Sequence, residues 1–222
     1  MKIRLMDRVL EANDAWAREN RRFLAPRGAA MLNLIGSPGA GKTALLEKTI
    51  ESLAGRLPVA VIEGDVATSR DAERIGRRGA PVVQINTGDG CHLGASAVHE
   101  ALRELCATHA PRLVFVENVG NLICPAEFNV GENMKVMILS TPEGADKPRK
   151  YPLMFHESSA MIINKMDLLN YVDFDLEKAK KDALSINPNL AVFTVSCKTR
   201  EGFEPWIAWL TSQVETFRNS RP

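Results

Sequence analysis

The chain lacks a marked excess of one charge. Across 222 residues, 28 Lys and Arg stand against 27 Asp and Glu, a formal net charge of +1. Near-neutrality gives no electrostatic case for nucleic acid or a membrane surface as the main partner. No apolar run approaches the ~20 residues that a membrane span needs. The stretch Met1-Lys2-Ile3-Arg4-Leu5-Met6-Asp7-Arg8 also lacks the apolar core of a signal peptide. Cysteine is scarce: four, scattered without a framework. That pattern argues against disulfides and for a reducing compartment, where thiols ligate metal or pack. Repeats and low-complexity segments are missing too. The expectation is a cytoplasmic protein with one sizeable core.

What is present is sharper. Gly36-Ser37-Pro38-Gly39-Ala40-Gly41-Lys42-Thr43 fits G-x-x-x-x-G-K-S/T, the phosphate-binding loop. An apolar strand (Met31, Leu32, Leu34, Ile35) leads into it, and Leu46, Ile50 and Leu53 follow at helical spacing. Glycines let the backbone from Gly36 through Gly39, Ala40 and Gly41 to Ala44 curl its N–H groups toward phosphate oxygens, beside a helix N-terminus. Lys42 is expected to reach the β- and γ-phosphates, and the Thr43 hydroxyl to ligate Mg²⁺.

Before this loop, residues 3–24 read as a helix punctuated by Met6, Leu10, Ala17 and Leu24 and ended by Pro26-Arg27-Gly28. After it, short apolar runs at 59–63, 82–85, 113–117, 136–139, 160–163 and 190–195 read as strands. Helices fill most gaps, one over Ser96–Thr108 and a last one opened by Pro205-Trp206. The predicted fold is α/β: a three-layer P-loop NTPase with a mostly parallel sheet of about seven strands and an N-terminal helix. Residues 1–28 form a helical extension and 29–222 the nucleotide-binding domain, together one globular unit. Ligands then gather at the carboxyl ends of the strands.

The 160–163 strand ends in Asn164-Lys165-Met166-Asp167, which fits the N-K-x-D guanine signature. A carboxylate at Asp167 accepts from guanine N1–H and the 2-amino group. Adenine offers neither donor and leaves the buried charge unpaired. Lys165 is placed over the base plane, and Ser196-Cys197-Lys198 resembles the backbone loop that reads guanine O6. GTP is therefore the expected nucleotide. Asp65 and Glu117 end two further strands and offer hard oxygen ligands for Mg²⁺ and for organising the attacking water. Their alternative role is to cap the next helix. Gly120 is positioned to set a backbone N–H against the γ-phosphate.

Cys91-His92 and Cys124 match no standard zinc spacing. Cys91-His92 precedes a helix whose N-terminus favours thiolate, and Cys124 lies four residues beyond Gly120. Thiolate and imidazole suit zinc or nickel, with water or a second copy of the chain completing the coordination. Unrelated buried thiols are the alternative reading. Cys106 reads as core, and His99, His109 and His156 as surface or helix-end residues.

Several segments together carry a family resemblance over nearly the whole chain: Asn13-Asp14, Asn20-Arg21, Ser37-Pro38-Gly39, Glu63-Gly64-Asp65, Asn86-Thr87-Gly88 and Cys91-His92-Leu93. Further on are Glu117-Asn118-Val119-Gly120-Asn121-Leu122, Cys124-Pro125-Ala126, Asp146-Lys147-Pro148 and Lys150-Tyr151-Pro152. The chain resembles the nickel-incorporation GTPases of NiFe-hydrogenase maturation (HypB-type), P-loop GTPases of the SIMIBI class. The resemblance implies a metallochaperone that hydrolyses GTP slowly and helps insert nickel into the hydrogenase large-subunit precursor, with a maturation partner protein. It also implies a GTP-dependent homodimer and a Ni²⁺ or Zn²⁺ site at Cys91, His92 and Cys124 near the subunit interface.

Three departures stand out: no Cys- or His-rich segment precedes the first helix, Gly94 replaces an Asp often found after Cys-His-Leu, and Pro142 stiffens Thr141–Gly144. Rival readings are the urease-type nickel GTPase, whose Cys-Pro-His is missing, a small-molecule P-loop kinase, and a non-catalytic module that dimerises with GTP.

Overall fold

The computed structural model describes residues 2–65, 70–88 and 90–219, apart from the side chains of residues 2–7, 65 and 70. Helix α1 (Lys2–Leu24) leads into β1 (Ala30–Gly36) and α2 (Lys42–Leu53). There follow β2 (Val59–Asp65), α3 (Arg70–Gly76), β3 (Val82–Asn86), α4 (Ala95–Thr108) and β4 (Leu113–Glu117). After the single turn α5 (Cys124–Glu127) come β5 (Met134–Ser140), the short α6 (Lys147–Lys150) and α7 (Pro152–Glu157), and β6 (Ala160–Asn164). The last elements are α8 (Leu176–Ile186), β7 (Ala191–Thr194) and α9 (Phe203–Asn219).

Among the described residues the strands form one seven-stranded sheet in the order β3-β2-β4-β1-β5-β6-β7. All six strand pairings are parallel. Every residue of β1, β4, β5 and β6 is buried, as expected of parallel strands covered by helices on both faces. The sheet and its two helical layers give the three-layer α/β fold. On one face, Leu45, Leu46 and Ile50 of α2 share a core with Trp206, Leu210 and Val214 of α9. The other face carries two clusters, one with Val98 and Leu102 of α4 and one with Met154, Phe155 and Ala179 of α7 and α8. The indole Nε1–H of Trp206 donates to Thr49 Oγ1 at 2.9 Å, so this large buried ring keeps its polar edge satisfied.

Element boundaries differ from the expectation in a few places. Helix α9 starts at Phe203, two residues before Pro205, because a first-turn proline lacks only an N–H that has no intrahelical partner anyway. Helix α4 starts at Ala95, β5 is longer at both ends than 136–139, and β7 is shorter than 190–195. Helix α1 closes in a 3₁₀ turn, Ala25–Arg27, with Gly28 at φ 69°. Its packing side chains, Ala17 and Leu24, are buried. Met6 falls among residues whose side chains lie outside the description. His99 is not the surface residue expected. Its Nδ1 lies 2.8 Å from Asn20 Oδ1, and its ring sits between Trp16 and Phe23.

Candidate nucleotide and metal site

β1 feeds the phosphate loop and α2 leaves it. The buried Lys42 ammonium donates to the carbonyls of Gly36 (3.2 Å) and Ser37 (3.3 Å). Burial lowers the Lys42 pKa, while the carboxylates of Glu117, Glu143, Asp71 and Glu63 oppose that shift. Thr43 Oγ1 donates to Glu117 Oε1 at 2.8 Å. Glu117 is buried at the end of β4, and its second oxygen, Oε2, has no hydrogen-bond partner among the described residues. Desolvation raises its pKa to about 7 against the pull of Lys42 and the Thr43 hydrogen bond. A cavity of about 480 Å³ opens over these groups. Pro38, Gly39, Gly41, Ala44 and Gly120 line it as well.

The base-reading residues are tied to this loop. Asn164 Nδ2 donates to Ala40 O at 2.9 Å, and Asn164 Oδ1 accepts from Cys197 N at 3.3 Å. Lys165, in the left-handed region at φ 61°, donates from Nζ to Gly39 O at 2.7 Å. Ser196 Oγ donates to Asp167 Oδ1 at 2.6 Å, fixing the carboxylate expected to read guanine. Lys198 is exposed beside them. Asp65 ends β2 in register with Asn86, and its side chain lies outside the described residues.

Three residues after Glu117, Gly120 comes so close to the loop that a Cβ there would stand 2.8 Å from the Pro38 ring. The next residue, Asn121, forms an isolated bridge with Gly36. Its Nδ2 donates to Cys91 O at 3.2 Å and its Oδ1 accepts from Ile123 N at 2.9 Å. Cys124 Sγ lies 2.9 Å from Cys91 Sγ, and Cys91 Sγ lies 3.5 Å from His92 Nδ1. One ligand atom from each of the three residues falls within 4.8 Å of the others. In a tetrahedral thiolate site with metal–sulfur bonds of ~2.3 Å, two sulfurs stand roughly 3.8 Å apart. The pair therefore fits a soft divalent ion once the sulfurs part by about 1 Å. The hydrogen bond with Cys91 and burial raise the Cys124 pKa. Burial lowers that of His92, whose ring stacks on Phe128 at 3.9 Å. Both shifts favour the uncharged forms. Cys106 is half-buried and away from this group.

Sequence reasoning missed several contributors. Glu63, Asp71 and Arg74 line the phosphate cavity, and Arg74 pairs with Asp71 (2.8 Å) and Glu47 (2.7 Å). Beneath the metal arms runs a buried polar chain. Leu93 N donates to Asn118 Oδ1 (3.1 Å), Asn118 Nδ2 to Asn33 Oδ1 (3.2 Å) and Asn33 Nδ2 to Glu132 Oε1 (3.2 Å). Lys135, 3.8 Å from Glu132, donates to Ala126 O in α5 at 2.8 Å. The available signal was a polar residue, Asn33, inside an otherwise apolar strand.

Comparison with known proteins agrees with this geometry. The family model for the CobW/HypB/UreG nucleotide-binding domain matches residues 30–194. A hydrogenase maturation factor HypB of Azotobacter vinelandii is 49% identical over 219 residues, 99% of this chain and 72% of the relative. A crystal structure of HypB from Helicobacter pylori in complex with nickel superposes with a TM-score of 0.88 at 34% identity, covering 95% of this chain and 99% of that one. The hydrogenase maturation factor HypB of Archaeoglobus fulgidus gives 0.86 at 38% identity, covering 92% and 99%. The chain belongs to the HypB family of hydrogenase maturation factors, whose fold is that of the P-loop NTPases.

Proposed function

We propose that this chain is a GTP-hydrolysing metallochaperone whose nucleotide state governs a metal site at Cys91, His92 and Cys124. The observation that carries this reading is the segment Glu117–Cys124. It starts at the carboxylate bonded to Thr43, passes Gly120 against Pro38, and ends at a thiol 2.9 Å from Cys91. Loss of the γ-phosphate beside Gly120 then shifts Cys124 and loosens the metal. Because coupling between two ligands is reciprocal, metal occupancy changes nucleotide affinity by the same factor.

In this reading the loop Gly36–Ala44 cradles the phosphates, Lys42 neutralises charge on the transferred group, and Asp167 with Asn164, Lys165 and the Ser196–Lys198 loop selects guanine. Thr43, Asp65 and Glu117 would hold Mg²⁺, which when bound would offset phosphate charge. The orphaned oxygen of buried Glu117 supports that role. Asp65 and Glu117 also orient the attacking water.

The metal cargo is Ni²⁺ or Zn²⁺, and the nickel complex of the Helicobacter pylori relative favours Ni²⁺. The destination is the hydrogenase large-subunit precursor, reached with a maturation partner and through a GTP-dependent homodimer. The extension 1–28 and the domain 29–222 act as one unit, supported by hydrogen bonds that join Asn13 and Asn20 to residues 95, 129 and 130. The proposed place of work is the cytoplasm; no described helix is long and apolar enough to cross a membrane.

The test is metal content and oligomer mass with GDP and with a non-hydrolysable GTP analogue, for wild type and Cys124→Ala. Wild type should hold metal and change mass with nucleotide, while Cys124→Ala should lose metal. Full metal content in Cys124→Ala in both states removes Cys124 from the site. Single-turnover phosphate release no faster than background reduces the protein to a GTP-dependent dimerisation module.

A further inference from the structure

The first helix contributes two asparagines that the nucleotide chemistry does not use, and both reach the loops that carry the metal ligands. Ala95, four residues after Cys91, opens α4, and its N–H is one of the donors that a helix N-terminus leaves without an intrahelical partner. The preceding Gly94 has no side chain with which to cap it, and α4 has no side-chain cap of its own. Asn13 supplies the acceptor from another helix: Ala95 N donates to Asn13 Oδ1 at 2.9 Å. The same amide donates from Nδ2 to Asn129 O at 2.7 Å, in the loop after Phe128.

One turn pair further along α1, the fully buried Asn20 repeats the bridge. Its Nδ2 donates to Ala95 O at 2.8 Å and to Val130 O at 2.9 Å. Each asparagine thus grips the Cys91–His92 arm and the Cys124 arm at once. The fit leaves no slack. Gly131 sits at φ 95°, and a Cβ there would lie 2.5 Å from Ala17 O and 2.7 Å from Asn20 Cβ.

We propose that Asn13 and Asn20 are positioning residues for the Cys91–His92–Cys124 site, fixing the separation of its two arms from the side of α1. The inference rests on the metal reading above. The ligands come from segments 33 residues apart, with Cys91 exposed, so an ion that binds them must also order the two arms against each other. A clamp that has ordered them beforehand removes that cost and raises affinity. The amide is suited to this work because one side chain both accepts an N–H and donates to a carbonyl. Asp or Ser cannot do both with the same reach.

The experiment measures Ni²⁺ affinity by competition with a chromophoric chelator, together with the thiolate-to-nickel absorption band, for wild type, Asn13→Ala, Asn13→Asp and Cys124→Ala. Asn13→Ala should bind about tenfold more weakly, at the lower end of what groups behind a ligand shell cost, with a shifted band and, measured without nickel, unchanged GDP affinity. Asn13→Asp keeps the acceptor for Ala95 N but loses the donor to Asn129 O, so it should fall between the two. It carries the test alone if the alanine variant does not fold. Both Asn13 variants binding nickel as wild type does, with Cys124→Ala impaired, overturns the clamp and leaves the metal reading standing. Undiminished binding by Cys124→Ala overturns both.

Discussion

The phosphate loop and the metal arms lie at the two ends of one short connection, yet they are held in opposite ways. Lys42, Thr43 and Glu117 are 9%, 8% and 4% exposed and stand on regular elements, the first turn of α2 and the end of β4. Their partners are one another and the loop's own carbonyls. Of the proposed metal ligands, Cys91 and His92 sit on a loop and Cys124 opens the single turn α5, with Cys91 exposed and the other two half-buried. Their positions depend on asparagines drawn from α1, β1 and the connection itself. A rigid pocket suits a charge that must be met at fixed geometry, because preorganised dipoles need no rearrangement when the phosphoryl group moves. Braced loops suit a cargo that has to enter and leave, since segments that move come from the less stable parts of a fold.

The largest effect should come from breaking the rigid end. Lys42→Ala removes the cation aimed at the transferring phosphoryl group, a loss on the order of 10²–10³-fold by analogy with deleting one oxyanion donor. Single-turnover GTP hydrolysis measures it. Nickel affinity of the nucleotide-free variant should match wild type, because among the described residues the Lys42 ammonium donates to Gly36 O and Ser37 O of the loop and to none of the metal-site groups. A parallel loss of nickel binding would show that the two ends do not separate.

Next in size is the carboxylate between them. Glu117 titrates at about 7 in the folded chain, against 4.5 for an ordinary glutamate, because burial disfavours its charge. A raised carboxyl pKa means that the folded state prefers the protonated form. The penalty for ionising it is therefore absent below pH 4.5, grows between pH 4.5 and 7, and is complete above. Glu117→Gln should remove that penalty. In metal- and nucleotide-free protein the variant should be more stable by up to about 3 kcal/mol at pH 8, less what Lys42 loses with its partner. At pH 4.5 it should match wild type. Urea unfolding at the two pH values decides it, and equal stabilities at pH 8 would mean that Glu117 is not strained by its burial.

The same contrast explains what could be read beforehand. The phosphate loop is contiguous, so eight residues carry both its backbone and its chemistry. The central parallel strands are nearly as legible, because burial on both faces makes them largely apolar runs, as in Leu113–Val116. The metal group was visible only as three residues of two types at unfamiliar spacing, and it drew its meaning from the family resemblance. Its supports were not legible. An asparagine at 13, 20, 33 or 118 announces a polar amide but not which carbonyl, 75 or 110 residues away, it will meet. His99 was misjudged for the same reason, since its partners Asn20, Trp16 and Phe23 all belong to a helix far off in sequence.

The smallest predicted effect probes the braced end alone. The His92 ring stacks on Phe128 at 3.9 Å with 27° between planes, and Phe128 is buried where the Cys124 arm turns toward Asn129. The stack holds the imidazole plane, and with it the direction of the nitrogen lone pair, while Asn13 and Asn20 hold the backbone. Phe128→Leu keeps an apolar filler but loses a ring pair worth about 1 kcal/mol. Nickel affinity should fall by roughly fivefold, the equivalent of that energy. GTP hydrolysis with Mg²⁺ but without Ni²⁺ should be unaltered, because among the described residues no hydrogen bond of the phosphate loop involves this ring. Isothermal titration with Ni²⁺ on both proteins reads the change. An unaltered nickel affinity would place control of His92 in its backbone alone, and a loss as large as that of Cys124→Ala would mean that Phe128 holds the whole arm.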